Sequence, residues 1–131
     1  MSKPITRSYV LPDAPGSAKL ARDHVRALLF AQRLPHLTDD AALLASELTT
    51  NAVLHASGRP ELRLRLDEST LRIEVVDSGQ GVPGTPPPSL DRTFGRGLWI
   101  VERLSTRWGF TRDTESKSVW CDLRTRSDLP E

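Results

Sequence analysis

The spacing of apolar residues divides the first half of the chain into extended and helical segments. Residues 5–11 are expected to form a short opening strand, and the Pro- and Gly-rich residues 12–16 end it. Apolar residues then recur at helical spacing over residues 18–33, which predicts a first helix. Pro35 interrupts this pattern, and a longer second helix is expected over residues 38–56.

The second half alternates apolar and polar residues over 62–66 and again over 71–76. This alternation is typical of an antiparallel hairpin with one buried face. Residues 79–97 are rich in Gly, Pro, Ser and Thr, and loops of this length in a small domain are usually functional lids or disordered. A third helix is expected from the end of this stretch, followed by strands over 108–112 and 119–123. The pattern predicts an α+β sandwich with helices on one face of a mixed, mostly antiparallel sheet.

The composition limits the size of the fold and the choice of partners. The chain has 131 residues, of which 37% are apolar, enough for one hydrophobic core. We expect one domain over residues 1–131, with an ordered core at about 5–125. A net charge of +1 predicts neither a nucleic-acid nor a membrane partner. The single cysteine, Cys121, cannot form an intramolecular disulfide, and no apolar run approaches the roughly 20 residues that span a bilayer. A cytoplasmic protein is expected.

Three polar residues of the second helix are spaced four apart and form one stripe: Glu47, Asn51 and His55. A helical wheel places four leucines on the same side as this stripe: Leu43, Leu44, Leu48 and Leu54. Smaller or β-branched residues occupy the opposite side: Ala42, Ser46, Thr49 and Val53. The stripe therefore interrupts the face that is expected to be buried, where polar groups need a partner. This predicts either a ligand site or a polar network closed within the protein.

The residue types of the stripe suit phosphoryl chemistry. Asn51 supplies an oxygen that suits Mg²⁺, and Glu47 can orient or deprotonate an attacking hydroxyl. His55 lies at the expected end of the helix, where histidines more often pack against or cap the helix than bind a ligand. Its role is left open between these two interpretations.

The strand over 71–76 leads into a glycine-containing turn, Asp77-Ser78-Gly79-Gln80-Gly81. The alternation places Asp77 on the buried face, where its carboxylate suits the exocyclic amine of adenine and repels the oxygen of guanine. Gly79 and Gly81 would let the backbone approach a base closely. The same residues also suit an ordinary turn that leaves a sheet.

A second glycine-containing segment, Gly95-Arg96-Gly97-Leu98, opens the third helix. Free backbone amides at a helix start attract phosphate, and Arg96 would add positive charge. A plain helix-entry turn is the alternative. The sequence contains no G-x-x-x-x-G-K-[ST] motif, so a P-loop is excluded.

In this order, the three signals resemble the motifs of the GHKL ATPase superfamily, which is built on the Bergerat fold. An E-x-x-x-N box matches residues 47–51, a D-x-G-x-G box matches 77–81, and a second glycine box matches 95–98. The resemblance extends from about residue 5 to residue 123. It is closest to small bacterial anti-sigma-factor serine/threonine kinases, whose final strand resembles residues 117–123.

The resemblance implies a Bergerat-type α/β sandwich that binds ATP and Mg²⁺. Glu47 would be the catalytic base, Asn51 the magnesium ligand, and Asp77 the residue that reads adenine. The other cofactor-binding positions that it implies are His55, Gly79, Gly81, Val82, Arg92, Gly95, Arg96, Gly97 and Leu98.

The implied function is that of a kinase that binds a sigma factor and phosphorylates a serine or threonine on an antagonist protein. A homodimer is expected by analogy. The alternative is a nucleotide-binding protein-interaction module without phosphotransfer, although Glu47 favours the kinase. A histidine-kinase catalytic domain is disfavoured because no histidine has a phosphoacceptor setting. DNA binding is disfavoured because the arginines of the hairpin region are expected to form a solvated strand face: Arg59, Arg63, Arg65 and Arg72.

Overall fold

A computed structural model describes residues 3–55, 58–77, 97–112 and 116–126. For His55, Gly97 and Leu98 it describes the backbone only. The described strands are β1 (Ile5–Val10), β2 (Glu61–Leu66), β3 (Thr70–Asp77), β4 (Arg107–Arg112) and β5 (Lys117–Arg124). The described helices are α1 (Ser17–Ala31), α2 (Thr38–His55) and α3 (Gly97–Leu104), and a short 3-10 helix over Pro35–Leu37 precedes α2. None of the described helices is long and apolar enough to span a membrane.

The strands form one sheet in the order β1-β2-β3-β5-β4. This confirms the expected α+β architecture. The four described pairings are all antiparallel, so the expectation of a mixed sheet was wrong in this respect. The physical reason is the position of β5. β3 and β4 run in the same direction, but β5 lies between them and is antiparallel to both, which separates the two strands that would otherwise form a parallel pair.

The alternation along the strands places the core on one face of the sheet. Leu64 of β2 lies opposite Ile73 of β3, which in turn lies opposite Cys121 of β5, and all three are buried. The arginines Arg63 and Arg65 point to the other face, where they are exposed and form ion pairs with nearby carboxylates. The hydrophobic face packs against the helices. Of the arginines expected on a solvated strand face, Arg63 and Arg65 are exposed, whereas Arg72 is half-buried and its guanidinium donates to the buried carboxylate of Asp122.

α1 ends two residues earlier than the apolar spacing predicts. Arg33 has a φ of 59°, in the left-handed region that L-residues rarely adopt. A helix cannot continue through this conformation. The amide of Leu34 instead donates to the carbonyl of Leu29, and this turn directs the chain towards α2.

α2 is buried around most of its circumference, which the helical wheel did not predict. Ser46 and Thr49, expected on the exposed side, are buried, whereas Leu43 and Leu54 are 40% and 55% exposed. α2 packs against α1, α3 and the sheet at once. Small side chains on its second buried side let α1 approach, and Arg22 Nη1 of α1 donates to Ser46 Oγ at 2.9 Å.

Gly109 of β4 lies against the indole ring of Trp120, its partner on β5. A Cβ at position 109 would lie 2.8 Å from Cζ2 of Trp120, and the ring is also contacted by Arg72, 4.0 Å from its centroid. We expect Gly109→Ala to lower the free energy of unfolding by about 1–3 kcal/mol, because the packed indole must shift. Urea denaturation measures this loss. Gly16→Ala is the control, since its Cβ would meet nothing within 4 Å, and an equal loss there would contradict the argument.

The turn between β2 and β3 is held by the carboxylate of Asp67. Its Oδ1 accepts hydrogen bonds from the amides of Ser69 at 2.9 Å and Thr70 at 2.8 Å. The hydrogen bond from the Ser69 amide is the largest cause that lowers the pKa of Asp67 below its ordinary value of 3.8. A carboxyl group with a lowered pKa stabilises the fold above its unfolded-state pKa, and this stabilisation is lost as the pH falls through the folded-state pKa.

Asp67→Ala should therefore cost about 1 kcal/mol of unfolding free energy near neutral pH, a typical value for lost turn hydrogen bonds. The difference from wild type should shrink at acidic pH, as the pH falls through the lowered pKa of wild-type Asp67 and its carboxylate becomes protonated. Urea denaturation at the two pH values measures both differences. A loss that does not change with pH would show that the charge of Asp67 is not what stabilises the turn.

Candidate functional site

Three elements bring polar side chains together at one end of the sheet. β3 ends at Asp77, which pairs in register with Lys117, the first residue of β5. Asn51 belongs to the last turns of α2, which packs on β3. These three residues line one cavity. Its remaining walls are apolar and consist of Leu48, Ala52, Val75 and Val119.

Asn51 is buried, with 6% of its surface exposed. Its Oδ1 atom is buried and accepts no hydrogen bond from the described residues. A buried acceptor in this state costs about 1–3 kcal/mol, which a bound ion or water can offset. The sequence left open the alternative that Asn51 belongs to a polar network closed within the protein. Within the described part of the chain, no such network satisfies Asn51 Oδ1.

Glu47 lies one helical turn before Asn51. It is half-buried and lies at the border between the buried side of α2 and the exposed side that carries Leu43 and Leu54. Its carboxylate is not part of the cavity lining. Glu47 is thus placed beside the cavity and keeps access to solvent.

Asp77 and Lys117 form a buried pair of opposite charges. Lys117 Nζ lies 3.8 Å from Asp77 Oδ2, and the two side chains are only 14% and 4% exposed. The predicted position of Asp77 on the core face is confirmed. The resemblance, but not the pattern of residues, placed Lys117 in the closing strand, and Lys117 was not identified as a site residue. The alternation of β5 puts it on the face of Val119 and Cys121, and this is the signal that could have found it.

The cavity between these groups has a volume of about 20 Å³. This is room for one water molecule and far less than the roughly 150 Å³ that admits a benzene ring in a protein core. A purine enters only if a lining side chain moves. Lys117 has the longest and most flexible side chain of the lining, so it is the one best able to move.

Several predicted site residues lie outside the described residues: Gly79, Gly81, Val82, Arg92, Gly95 and Arg96. His55 is the last residue of α2, and Gly97 and Leu98 are the first two residues of α3, but their side chains lie outside the description. Their assigned roles stay predictions.

No group of three or more His, Cys, Asp or Glu side chains in the described ranges is arranged to hold a metal ion. Asn51 Oδ1, a buried oxygen that accepts no hydrogen bond from the described residues, can act as a ligand of a hard cation, whereas the Asp77 carboxylate of the same cavity lies beside the ammonium of Lys117. Mg²⁺ commonly takes few ligands from the protein and the rest from phosphates and water. Asn51 therefore fits a magnesium ion that arrives with a nucleotide.

A larger depression of about 620 Å³ lies at the opposite end of the sheet, where Thr70 begins β3. Its lining includes the exposed arginines Arg107, Arg124 and Arg126. Sites for small molecules usually combine apolar walls with a few convergent polar groups. The small cavity at Asp77 has this composition, so we take it as the candidate site.

The family model for histidine kinase-like ATPase domains matches residues 11–122, a range that includes Asn51, Asp77 and Lys117. The chain belongs to this family. A histidine kinase-like ATPase domain binds ATP, and the expected membership of the GHKL-type superfamily is confirmed at this level. No curated protein gives a significant match to the chain. The closer likeness to anti-sigma-factor kinases stays a prediction.

Proposed function

We propose that this histidine kinase-like ATPase domain is a protein serine/threonine kinase of the anti-sigma-factor type that uses Mg-ATP. It would bind a sigma factor and phosphorylate a serine or threonine of an antagonist protein, as a cytoplasmic homodimer. The observation that carries the proposal is the buried Asn51 Oδ1, which lines the same cavity as Asp77 and lies one turn after Glu47. The partners and the dimer rest on the resemblance alone.

The proposed roles follow from the chemistry of each group. Asp77 accepts a hydrogen bond from the exocyclic amine of adenine at the apolar end of the site. Asn51 Oδ1 ligates Mg²⁺, which neutralises charge on the phosphates when it is bound. ATP would therefore lie with its base against β3 and its phosphates towards α2.

Glu47 is the proposed base. Its carboxylate takes the proton of the acceptor hydroxyl as that oxygen forms a bond to the γ-phosphorus. The bond between the γ-phosphorus and the β,γ-bridging oxygen breaks, and ADP leaves with the electron pair. In such transfers, positioning and electrostatic stabilisation supply most of the rate enhancement. The half-buried position of Glu47, with access to solvent, suits a residue that must meet an incoming protein hydroxyl.

The alternative is a nucleotide-binding protein-interaction module that transfers no phosphate. One observation favours it: Glu47 does not line the cavity formed by Asn51 and Asp77. A base must reach the acceptor hydroxyl directly or through one water. Phosphotransfer therefore requires that ATP extend beyond the cavity towards the N-terminal side of α2.

Calorimetric titration with ATP, with and without Mg²⁺, tests the nucleotide site. Wild type should bind ATP in a magnesium-dependent manner, and Asn51→Ala should weaken binding about tenfold or more, as loss of one charge-assisted contact does. Thr49→Val is a matched control, because Thr49 Oγ1 is also buried without a hydrogen-bond partner among the described residues but does not line the cavity. This variant should bind ATP like wild type. Failure of folded wild type to bind ATP would overturn the proposal.

Transfer of label from γ-labelled ATP into host-cell proteins separates the kinase from the interaction module. The kinase should yield labelled phosphoserine or phosphothreonine only when the purified chain is added. Magnesium-dependent ATP binding without any labelled protein would support the interaction module instead.

A further inference from the structure

Lys117 is an unusual residue for the wall of a small apolar cavity. Lysine is almost never fully buried unless it is paired, and the Lys117 side chain is only 14% exposed. Asp77 is the acidic residue that lies opposite it, at 3.8 Å. The pair therefore places a hydrogen-bond donor and an acceptor side by side at the proposed base site.

A buried ion pair is weak support for stability, because the cost of desolvating two charges offsets most of their attraction. Among the described residues, the cavity has one other polar lining residue, Asn51, and the remaining lining is apolar. Replacing a buried ion pair by an apolar pair of similar volume is often neutral or stabilising. The position of Lys117 is therefore better explained by a ligand than by packing.

We propose that Lys117 is a base-reading residue of the ATP site. When ATP binds, the ammonium donates a hydrogen bond to a ring nitrogen that flanks the 6-amino group, while Asp77 accepts from that amine. Adenine presents such a pattern, since its amine is a donor and the ring nitrogens N1 and N7 on either side are acceptors. The inference rests on the proposed adenine-reading role of Asp77 and adds a second determinant to it.

This pairing changes the argument for adenine over guanine. A carboxylate alone repels the oxygen at position 6 of guanine, but an ammonium beside it can donate to that oxygen. Selectivity then depends on which of the two groups faces position 6. The inference places Asp77 there and Lys117 at the neighbouring ring nitrogen, which predicts that Asp77 sets the preference for ATP over GTP and that Lys117 adds affinity for adenine through the ring nitrogen.

Titration calorimetry with atomic analogues of ATP tests the inference. Wild type is titrated in Mg²⁺ with ATP, 1-deaza-ATP, 7-deaza-ATP and GTP. One of the two deaza analogues, which replace N1 or N7 by a carbon, should bind about tenfold more weakly than ATP, as expected for one lost charged hydrogen bond. The analogue that loses affinity identifies the nitrogen that Lys117 contacts.

Lys117→Met should bind ATP about tenfold more weakly than wild type and should bind the sensitive analogue and ATP equally well. Lys117→Gln keeps a hydrogen-bond donor without the charge, so it should retain part of the preference for ATP over the sensitive analogue. It replaces Lys117→Met in this test if the Met variant does not fold. Lys19→Met is the control, because Lys19 is an exposed lysine on α1 paired with Asp23. It should behave like wild type.

The outcomes separate this inference from the proposed function. If wild type binds ATP and both deaza analogues equally, or if Lys117→Met keeps the wild-type preference, Lys117 is a structural ion-pair residue and the inference fails alone. Tight GTP binding by wild type that is lost in Lys117→Met would mean that Lys117 reads an oxygen at position 6, which overturns the adenine assignment. Absence of ATP binding by wild type would overturn the proposed function as well.

Discussion

Glu47→Gln should lower the rate of phosphotransfer by about 10²–10⁴-fold, the usual contribution of a general base. The affinity for ATP should stay close to that of wild type. Glutamine matches the shape of glutamate but cannot accept the proton of the acceptor hydroxyl. Glu47 does not line the cavity that would hold the base, so the substitution should leave nucleotide binding intact.

Two measurements on the same preparation check this prediction. Calorimetry gives the dissociation constant for ATP, and label transfer from γ-labelled ATP gives the rate. Asp40→Asn is the control, because Asp40 is an exposed carboxylate near the start of the same helix. Its rate should match wild type. Equal losses of affinity and rate in Glu47→Gln would show that Glu47 is structural rather than catalytic.

Asp77→Asn should lower both the stability of the protein and its affinity for ATP. The substitution leaves the ammonium of Lys117 in a largely apolar cavity without its carboxylate. Removing one partner of a buried ion pair typically costs about 3–5 kcal/mol of unfolding free energy. The cost here should fall at the lower end, because the flexible lysine side chain can turn its ammonium towards water. ATP binding should weaken by at least about tenfold, since the charged acceptor of the base amine is lost.

A double variant distinguishes these two effects. Asp77→Asn combined with Lys117→Met removes the unpaired charge, so urea denaturation should show that most of the lost stability returns. The affinity for ATP should not return, because neither base-reading group remains. Recovery of ATP binding in the double variant, or full stability of Asp77→Asn alone, would contradict the assignment of Asp77.

The local patterns of the sequence were sufficient to predict most elements and the position of one key side chain. The alternation over residues 62–66 and 71–76 predicted the hairpin that the structure shows as β2 and β3, and it placed Asp77 on the buried face. The second helix, expected over residues 38–56, is observed as Thr38–His55. These features depend on how apolar residues are spaced along a strand or a helix, and this spacing can be read from neighbouring residues alone. The motif order also predicted the ATPase superfamily.

The tertiary structure decided which distant residues meet. Lys117 and Asp77 lie far apart in the sequence, and they are neighbours only because β5 inserts between β3 and β4 in the register Asp77↔Lys117. The wheel of α2 failed for a related reason, because burial on that helix is set by α1, α3 and the sheet together. Periodicity shows that a residue lies on a given face, whereas long-range packing determines what covers that face. Local patterns along the chain were thus enough to predict the elements and the adenine-reading candidate Asp77, whereas the lysine beside it became visible through the packing of β5 against β3.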